Sequence, residues 1–394
     1  MITVEEARHI LAQVARPTSV VLRELAEASG HHLAQDVVAP HDHPLFDMSA
    51  VDGYAFAFEE GRSTWRQVAS LAAGDVHGAV LGAGECARIF TGAMIPTGAD
   101  TVVMQEFVER DGDHITHHDT KLRSGGNVRR KGEQLRVGDV LLKPGTVLGP
   151  AEIGLLASAG VGSVAVHRKP LVNVVRTGGE FATGAETVPG RIFSSNDVML
   201  VSALMQEGMR TAAPVFTPKD EAGELRRSLA QAAQGCDVLI TTGGVSVGDH
   251  DLVKSVLLEL GAEVLFHGVH QKPGKPMLFA RLGNTFVFGL PGNPRAVLVA
   301  WYLFVRPFLL AVQGATGPVL RSESLPLSEG ITLKGARAEF RAASVRAGVV
   351  HLLADEGSHM LSSLIAANAI AYFPATVRRA EAGELTEVYY LPGR

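Results

Sequence analysis

The rhythm of apolar and polar positions changes several times along the chain, and the changes divide it. The first dozen residues, MITVEEARHILA, carry acids and a Thr3-x-x-Glu6 capping box, which predicts a helix start rather than a signal peptide. Helical, then extended patterning continues to about Pro44. From Asp47 to about Gln134 short β-type runs such as ARIFTG and DTVVMQEFVER take over, with Asp111-Gly112 as a hairpin turn between two of them. Helical pattern returns over residues 150–159. The β region therefore reads as a lobe inserted into a helical one.

Leu171 to about Val312 has a different texture. LVNVVRT, CDVLITT, AEVLFHGV, MLFARL and TFVFGL are strand-like runs. Between them lie a helix opened by Ser195, with apolar positions at Val198, Val201, Leu204 and Met205, an amphipathic helix after Asp220, and a helix from about His250 to Leu260. Strands alternating with helices of this length predict βαβ units and a parallel three-layer α/β sheet. Pro294 starts an apolar helix whose core, Ala296 to Val305, is bounded by Arg295 and Arg306. A bilayer span needs about 20 apolar residues, so a buried core helix is expected and no membrane association. From about Leu320 the runs AEFRAASV, GVVHLLA and ELTEVYYL predict a small β-barrel or sandwich. The expected fold class is multidomain α/β. Residues 1–45 with 136–168 form an N-terminal linker and dimer domain, 46–135 the inserted β lobe, 169–315 the α/β domain and 316–394 the C-terminal β-barrel.

Composition narrows the function. At 394 residues with 46% hydrophobic and 20% charged positions, the chain is too long for one core and too apolar for wholesale disorder. A net charge of −5 is not that of a surface built around nucleic acid. Cys86 and Cys236 are the only cysteines, which excludes a disulfide framework and a cysteine-ligated zinc site and fits a cytoplasmic protein. The 43 glycines point to tight turns and to loops where backbone approaches a ligand.

Candidate chemistry concentrates in loops. Thr241-Thr242-Gly243-Gly244-Val245-Ser246-Val247-Gly248 runs from a buried strand to a helix start at Asp249-His250-Asp251. Backbone N–H groups at Gly243, Gly244 and Gly248, beside Ser246 and a helix N-terminus, suit a phosphate. A tight turn with an aspartate helix cap is the simpler reading. The spacing G-x-S-x-G also occurs, which keeps an esterase nucleophile at Ser246 open. Lys272-Pro273-Gly274-Lys275-Pro276 sets two cations on a stiff turn able to hold a polyanion, and Pro291-Gly292-Asn293-Pro294 is a second rigid turn before a helix. Glu180, Asp220 and Asp251 stand at element ends, and acids beside a phosphate loop at the carboxyl ends of strands suit Mg²⁺. The loop-like runs at Asp47–Ala55 and Thr91–Pro96 are turns without further context. His41, His43, His114, His117 and His118 lack metal-site spacing and read as structural or surface residues.

Taken together, DMSAVDGYA, RIFTGAMIPTGADTVVMQE, GNVRRKGE, TTGGVSVGDHD, KPGKP and GLPGNP resemble the molybdopterin molybdenumtransferase family, bacterial relatives of the gephyrin E domain, in the family's order and across essentially the whole chain. The resemblance implies insertion of molybdate into adenylylated molybdopterin with Mg²⁺-dependent release of AMP, by an elongated homodimer. A molybdopterin adenylyltransferase and molybdoenzymes or their chaperones are the further partners it implies. Its cleft residues fall on Asp52, Thr91, Glu180, Asp220, Asp251, Lys272 and Lys275, with Arg341 and Ser362 in the last domain and Pro291 and Pro294 shaping the adjoining loop. Gly179, Gln134 and Gly268 stand where the family commonly has Asp, Asp and Lys. These departures motivate an alternative, a paralogue that binds pterin or adenylyl-pterin without turnover. A scaffold using its β lobes for partner contacts is a third reading.

Overall fold

The computed structural model describes residues 1–394 except 76–78, 183–186, 219–220, 246–251, 355–356, 358 and 394. The first helix, Val4–Val14, opens with the expected capping box, the Thr3 hydroxyl accepting from the Glu6 N–H at 3.1 Å and the Glu6 carboxylate accepting from the Thr3 N–H at 2.7 Å. Its buried residues Val4, Ala7 and Leu11 pack into one core with Phe279, Phe288, Phe308 and Phe340. A separate core around Leu33, Leu148, Leu156 and Val166 joins residues on both sides of the β lobe. There Val20–Glu24 pairs with Ser163–His167, and Val37–Val38 with Val140–Leu142.

The lobe between them is a six-stranded sheet in the order Thr101–Met104, Gly53–Phe56, Glu85–Ile89, Thr64–Leu71, His114–His117, Val108–Asp111. The last two strands form the hairpin that Asp111-Gly112 signals, with Asp111 opposite His114 and Gly112 at φ 58°. Gly53 lies between two partner strands, and a Cβ there would stand 1.8 Å from the Val103 carbonyl oxygen. Only glycine lets the Thr101–Met104 strand dock.

The α/β sheet runs Val172–Arg176, Val238–Thr242, Thr285–Leu290, Leu278–Leu282, Glu263–His267. The first three strands are parallel, Leu278–Leu282 runs against them, and Glu263–His267, antiparallel to Leu278–Leu282, runs with them again, so the sheet is mixed rather than parallel. The cause is the short connection at Gly283, which turns Leu278–Leu282 directly into Thr285–Leu290 and leaves no room for a crossover helix. One face packs on Asn196–Gln206 and the Pro294–Val312 helix, the other on Ala222–Ala233 and Val253–Glu259. Within Asn196–Gln206 the inward residues are Leu200, Ala203 and Leu204, whereas Val198 and Met205 are exposed, contrary to the apolar spacing expected. The apolar helix extends to 19 residues, longer than its ten-residue apolar run. By length and composition it could cross a membrane, yet 67% of it is buried inside the protein. Trp301–Val305 takes a π turn just before Pro307, whose ring cannot accept an ordinary helical turn behind it.

The last sheet contains Ala338–Arg346, Ala369–Phe373, Leu385–Tyr390 and Ser322–Pro326, with Val349–Leu352 on Ala338–Arg346. A bridge from Leu327 to Val350 curls it back on itself. Its other edge is Gln271–Lys272, contributed by the α/β region and paired parallel to Ala338–Arg346. This edge fastens the two regions together.

Replacing Gly53 with Ala should lower the thermal midpoint by several degrees, because severe overpacking costs about 1–3 kcal/mol or more. A midpoint equal to wild type would show that the strands yield. Burial holds the His32 imidazole neutral, its pKa lowered from 6.5 to about 4. Protons then bind the unfolded chain first, so stability falls as pH drops from about 6.5 toward 4. An NMR titration of His32 with its midpoint near 6.5 would contradict this.

Candidate active site

The parallel strands deliver three loops to one end of the sheet, and buried hydroxyls and one amide stitch them together. Thr177, after the first strand, donates its N–H and its hydroxyl to the Thr242 carbonyl at 3.0 and 3.2 Å. The Thr242 hydroxyl donates to the Pro291 carbonyl at 3.1 Å. Asn196, at the first turn of its helix, donates from Nδ2 to the Thr242 hydroxyl at 2.9 Å and to the Gly292 carbonyl at 2.7 Å. Gly243 and Gly244 follow at φ 88° and 63°, against Thr177; a Cβ on Gly243 would meet the Thr177 hydroxyl and carbonyl oxygens within 3 Å. The double glycine is therefore required by backbone shape and by crowding together. Ser246, Gly248, Asp220 and Asp251 lie outside the described residues.

Glu180 is exposed beyond the first of these strands, its carbonyl accepting from Ile192 at 2.9 Å. Nearby, the Arg176 guanidinium lies 3.3 Å from Asp197 and 4.5 Å over the Phe181 ring. Arg295, directly after Pro294, is almost wholly buried.

The two-cation turn is built from the sheet edge outward. Parallel register sets Lys272 opposite Glu339. Arg341, two residues further along the same strand, points to the same face as Glu339. The Glu339 side chain is 4% exposed, and its two oxygens divide the cations. Oε1 is 3.7 Å from Lys272 Nζ, while Oε2 accepts from Arg341 Nε and Nη2 at 2.9 and 2.7 Å. Lys275 is exposed at the other end of the turn, which wraps around the buried Gln271 amide. Ser362 is exposed at the start of the short helix Ser362–Ala366, which packs on the Arg341 strand.

In the β lobe the sequence motifs meet side chain to backbone. Asp52 Oδ1 accepts from the Thr91 N–H at 2.8 Å and its hydroxyl at 2.7 Å, and these bonds hold the carboxyl below the usual aspartate range. Asp47 binds Arg130 at 2.7 Å and the Lys131 N–H at 2.8 Å. His117 stacks on Trp65 and Phe56, a packing role. Among the described residues no three metal-type side chains converge.

Sequence reasoning therefore finds Asp52 with Thr91, and Lys272 with Arg341, as pairs that do come together. It overlooks Glu339, whose signal was its place two residues before Arg341 in a strand. It also overlooks Thr177, Thr242 and Asn196, small polar residues flanking the glycine and proline turns.

The architecture defines the class: an α/β domain presenting loops at the ends of parallel strands, flanked by two β-rich regions. Residues 2–160 match the family described as "MoeA N-terminal region (domain I and II)", 180–311 that described as "Probable molybdopterin binding domain", and 324–391 "MoeA C-terminal region (domain IV)". Molybdopterin molybdenumtransferase of Haemophilus influenzae is 36% identical over 318 residues, 80% of this chain and 78% of that protein. Molybdopterin molybdenumtransferase 2 of Mycobacterium tuberculosis is 32% identical over 99% of this chain and 100% of its own length. The crystal structure of the molybdopterin biosynthesis MoeA protein of Pyrococcus horikoshii superposes with a TM-score of 0.83 at 31% identity, covering 100% of both chains. The chain belongs to the molybdopterin molybdenumtransferase family.

Converting Glu339 to Gln should leave Lys272 and Arg341 without their shared counter-charge. Both cations keep some solvent, so the expected cost is about 1–3 kcal/mol of stability, readable in denaturant unfolding. An unchanged midpoint would mean that the carboxylate does not organise this edge.

Proposed function

We propose that the protein inserts molybdate into adenylylated molybdopterin and releases AMP, with Mg²⁺ as the required cation. Family membership supports the reaction class, and the observation that carries the reading is the Lys272–Glu339–Arg341 arrangement at the joint between the α/β and C-terminal sheets. Molybdate and the adenylyl phosphates are anions. Two cations held by one buried carboxylate leave a net positive charge in a fixed place, the preorganised kind of site that binds an oxyanion. The Gly243–Gly244 turn, and Ser246 and Gly248 beyond it, would present N–H groups and a hydroxyl to phosphate. Lys275 and Ser362 would add polar contacts, while Pro291 and Pro294 keep the adjoining loop stiff.

Glu180, Asp220 and Asp251 would hold the Mg²⁺; carboxylate oxygens are the donor set that ion prefers. When bound, it neutralises charge on the phosphoanhydride. In the reaction water adds to the adenylyl phosphorus, the anhydride P–O bond breaks, and AMP and the pterin phosphate separate with loss of the water proton. The two dithiolene sulfurs replace two molybdate oxygens, which leave as hydroxide or water with no change in oxidation state. No covalent enzyme intermediate is needed, since positioning and charge stabilisation suffice. Asp52, kept ionised by Thr91, supplies a fixed negative group in the β lobe.

A homodimer in the cytoplasm belongs to the same proposal, with parts of one subunit completing the cleft of the other. Ile192, Phe193, Val198 and Met205 are all more than half exposed, an apolar strip that a second copy would cover. A molybdopterin adenylyltransferase upstream and molybdoenzymes or their chaperones downstream are the partners this chemistry calls for. The second reading, a binding paralogue, rests on Gly179, Gln134 and Gly268.

The assay is AMP release from adenylyl-molybdopterin, with and without molybdate and Mg²⁺. Wild type should release AMP only when both are present. Lys272→Ala and Glu180→Gln should slow release by roughly a hundredfold while the fold is kept. Tight binding of adenylyl-molybdopterin without AMP release would favour the binding paralogue. Wild-type rates in both variants would remove these residues from the reaction.

A further inference from the structure

A cavity of about 640 Å³ lies where three regions of the chain meet, and none of the described site residues named above lines it. Its walls come from residues 29–32 and 145–147 of the N-terminal region, from Lys169, Glu207 and Arg306 of the α/β region, and from the connection at 315–319. Two cations and one carboxylate face it. The carboxylate is already engaged, since Glu207 Oε1 lies 2.5 Å from Arg306 Nε. Arg306 Nη1 donates onward to the Val319 carbonyl at 3.1 Å.

Lys169 is less well provided for. Its ammonium, a triple donor, reaches the Glu207 carbonyl at 3.3 Å. Gly30 and Gly208, both at positive φ, come up against it from different regions, and a Cβ on Gly208 would stand 2.2 Å from Nζ. The two missing side chains keep the ammonium open to the cavity. Burial lowers the Lys169 pKa, and its charge helps lower those of His31 and His32, so the neighbouring imidazoles add no positive charge near neutral pH. His32, 4% exposed, also lines the cavity, and its Nδ1 is buried with no partner among the described residues. A half-buried cation in excess over its acids is costly unless an anion joins it.

We propose that this cavity binds a small organic phosphate, its phosphate group held by Lys169 and Arg306. The volume falls in the range of small-molecule pockets, about 300–1,000 Å³, and exceeds what inorganic phosphate alone fills. Val147, Leu310 and Pro318 supply an apolar wall for the organic body. Because the walls belong to different regions, an occupant fixes their mutual placement.

The test uses the full-length protein at low salt, with ribose phosphate and inorganic phosphate titrated by calorimetry. Saturable binding of ribose phosphate is expected, with inorganic phosphate weaker. Lys169→Gln should abolish it. So should Gly317→Trp, since a Cβ at Gly317 meets nothing within 4 Å and the ring would fill the cavity without backbone strain. Lys272→Ala, in the proposed active cleft, should bind like wild type. If either cavity variant fails to fold, Ser29→Glu, an exposed change at the rim, should still weaken binding. Absence of saturable binding overturns the proposal. So does equal affinity for inorganic phosphate, or binding lost in Lys272→Ala and kept in the cavity variants.

Discussion

The buried carboxylate of Glu339 is the interaction on which the arrangement of this protein turns. A carboxylate excluded from water is unfavourable unless ionic partners and hydrogen bonds replace the lost hydration. Here one partner, Lys272, arrives from the α/β region, and the other, Arg341, from the strand that carries Glu339. The satisfied state thus requires the Gln271–Lys272 edge to be paired in one register against Ala338–Arg346. A slip of one residue would turn Lys272 to the opposite face and leave the acid with a single cation. The same pairing that joins two regions of the chain also orients two positive groups at their boundary. The strand pairing and the proposed anion site therefore share one contact.

A similar coupling governs the loops at the sheet end. Thr242 is wholly enclosed, and its hydroxyl takes one hydrogen bond and gives another, so it links the Asn196 helix start to the proline turn. The glycines beside it are free of side chains that would strike Thr177. The directional bonds of Thr242 and of the Asn196 Nδ2 group favour one geometry, whereas an apolar contact of the same size would tolerate several. The Gly243–Gly244 turn gains its rigidity in this way, from the Thr177, Thr242 and Asn196 side chains packed behind it.

Much of this was legible in the sequence, for identifiable reasons. The capping box at Thr3 and Glu6, the hairpin at Asp111-Gly112 and the buried strand Val238–Thr242 are local signals, and the structure carries each of them. The direction of Leu278–Leu282 was not legible, because a short apolar run is the same whether its neighbour is parallel or antiparallel; only the two-residue turn at Gly283 and Asn284 decides it. Nor was the inward face of the Asn196–Gln206 helix. Apolar residues occur on every side of that helix, so periodicity cannot separate the residues that meet the sheet from Val198 and Met205, which face outward. At the site, Lys272 and Arg341 were legible as cations in turns and strands. Glu339 had only the weak signal of standing two residues before Arg341; its second partner, Lys272, lies 67 positions away and is reached only through strand register.

Gly268, where the family resemblance implies a lysine, is fixed as glycine by the packing around it. Gly268 sits at φ 85°, and a Cβ there would lie 2.8 Å from the Met1 side chain. Its carbonyl accepts from Ile2 at 3.1 Å, and Ile2 in turn accepts from His270 at 2.7 Å, so the start of the chain is laid as a strap along the segment leading into Lys272. A lysine at 268 would have to adopt a left-handed backbone conformation and displace Met1. A lysine at 268 and the docked Met1–Ile2 segment thus exclude each other. The strap braces the approach to Lys272 by backbone hydrogen bonds, where a lysine would have added charge. Positive charge at this boundary then comes from Lys272 and Arg341, and Glu339, which contacts both, sets where they stand.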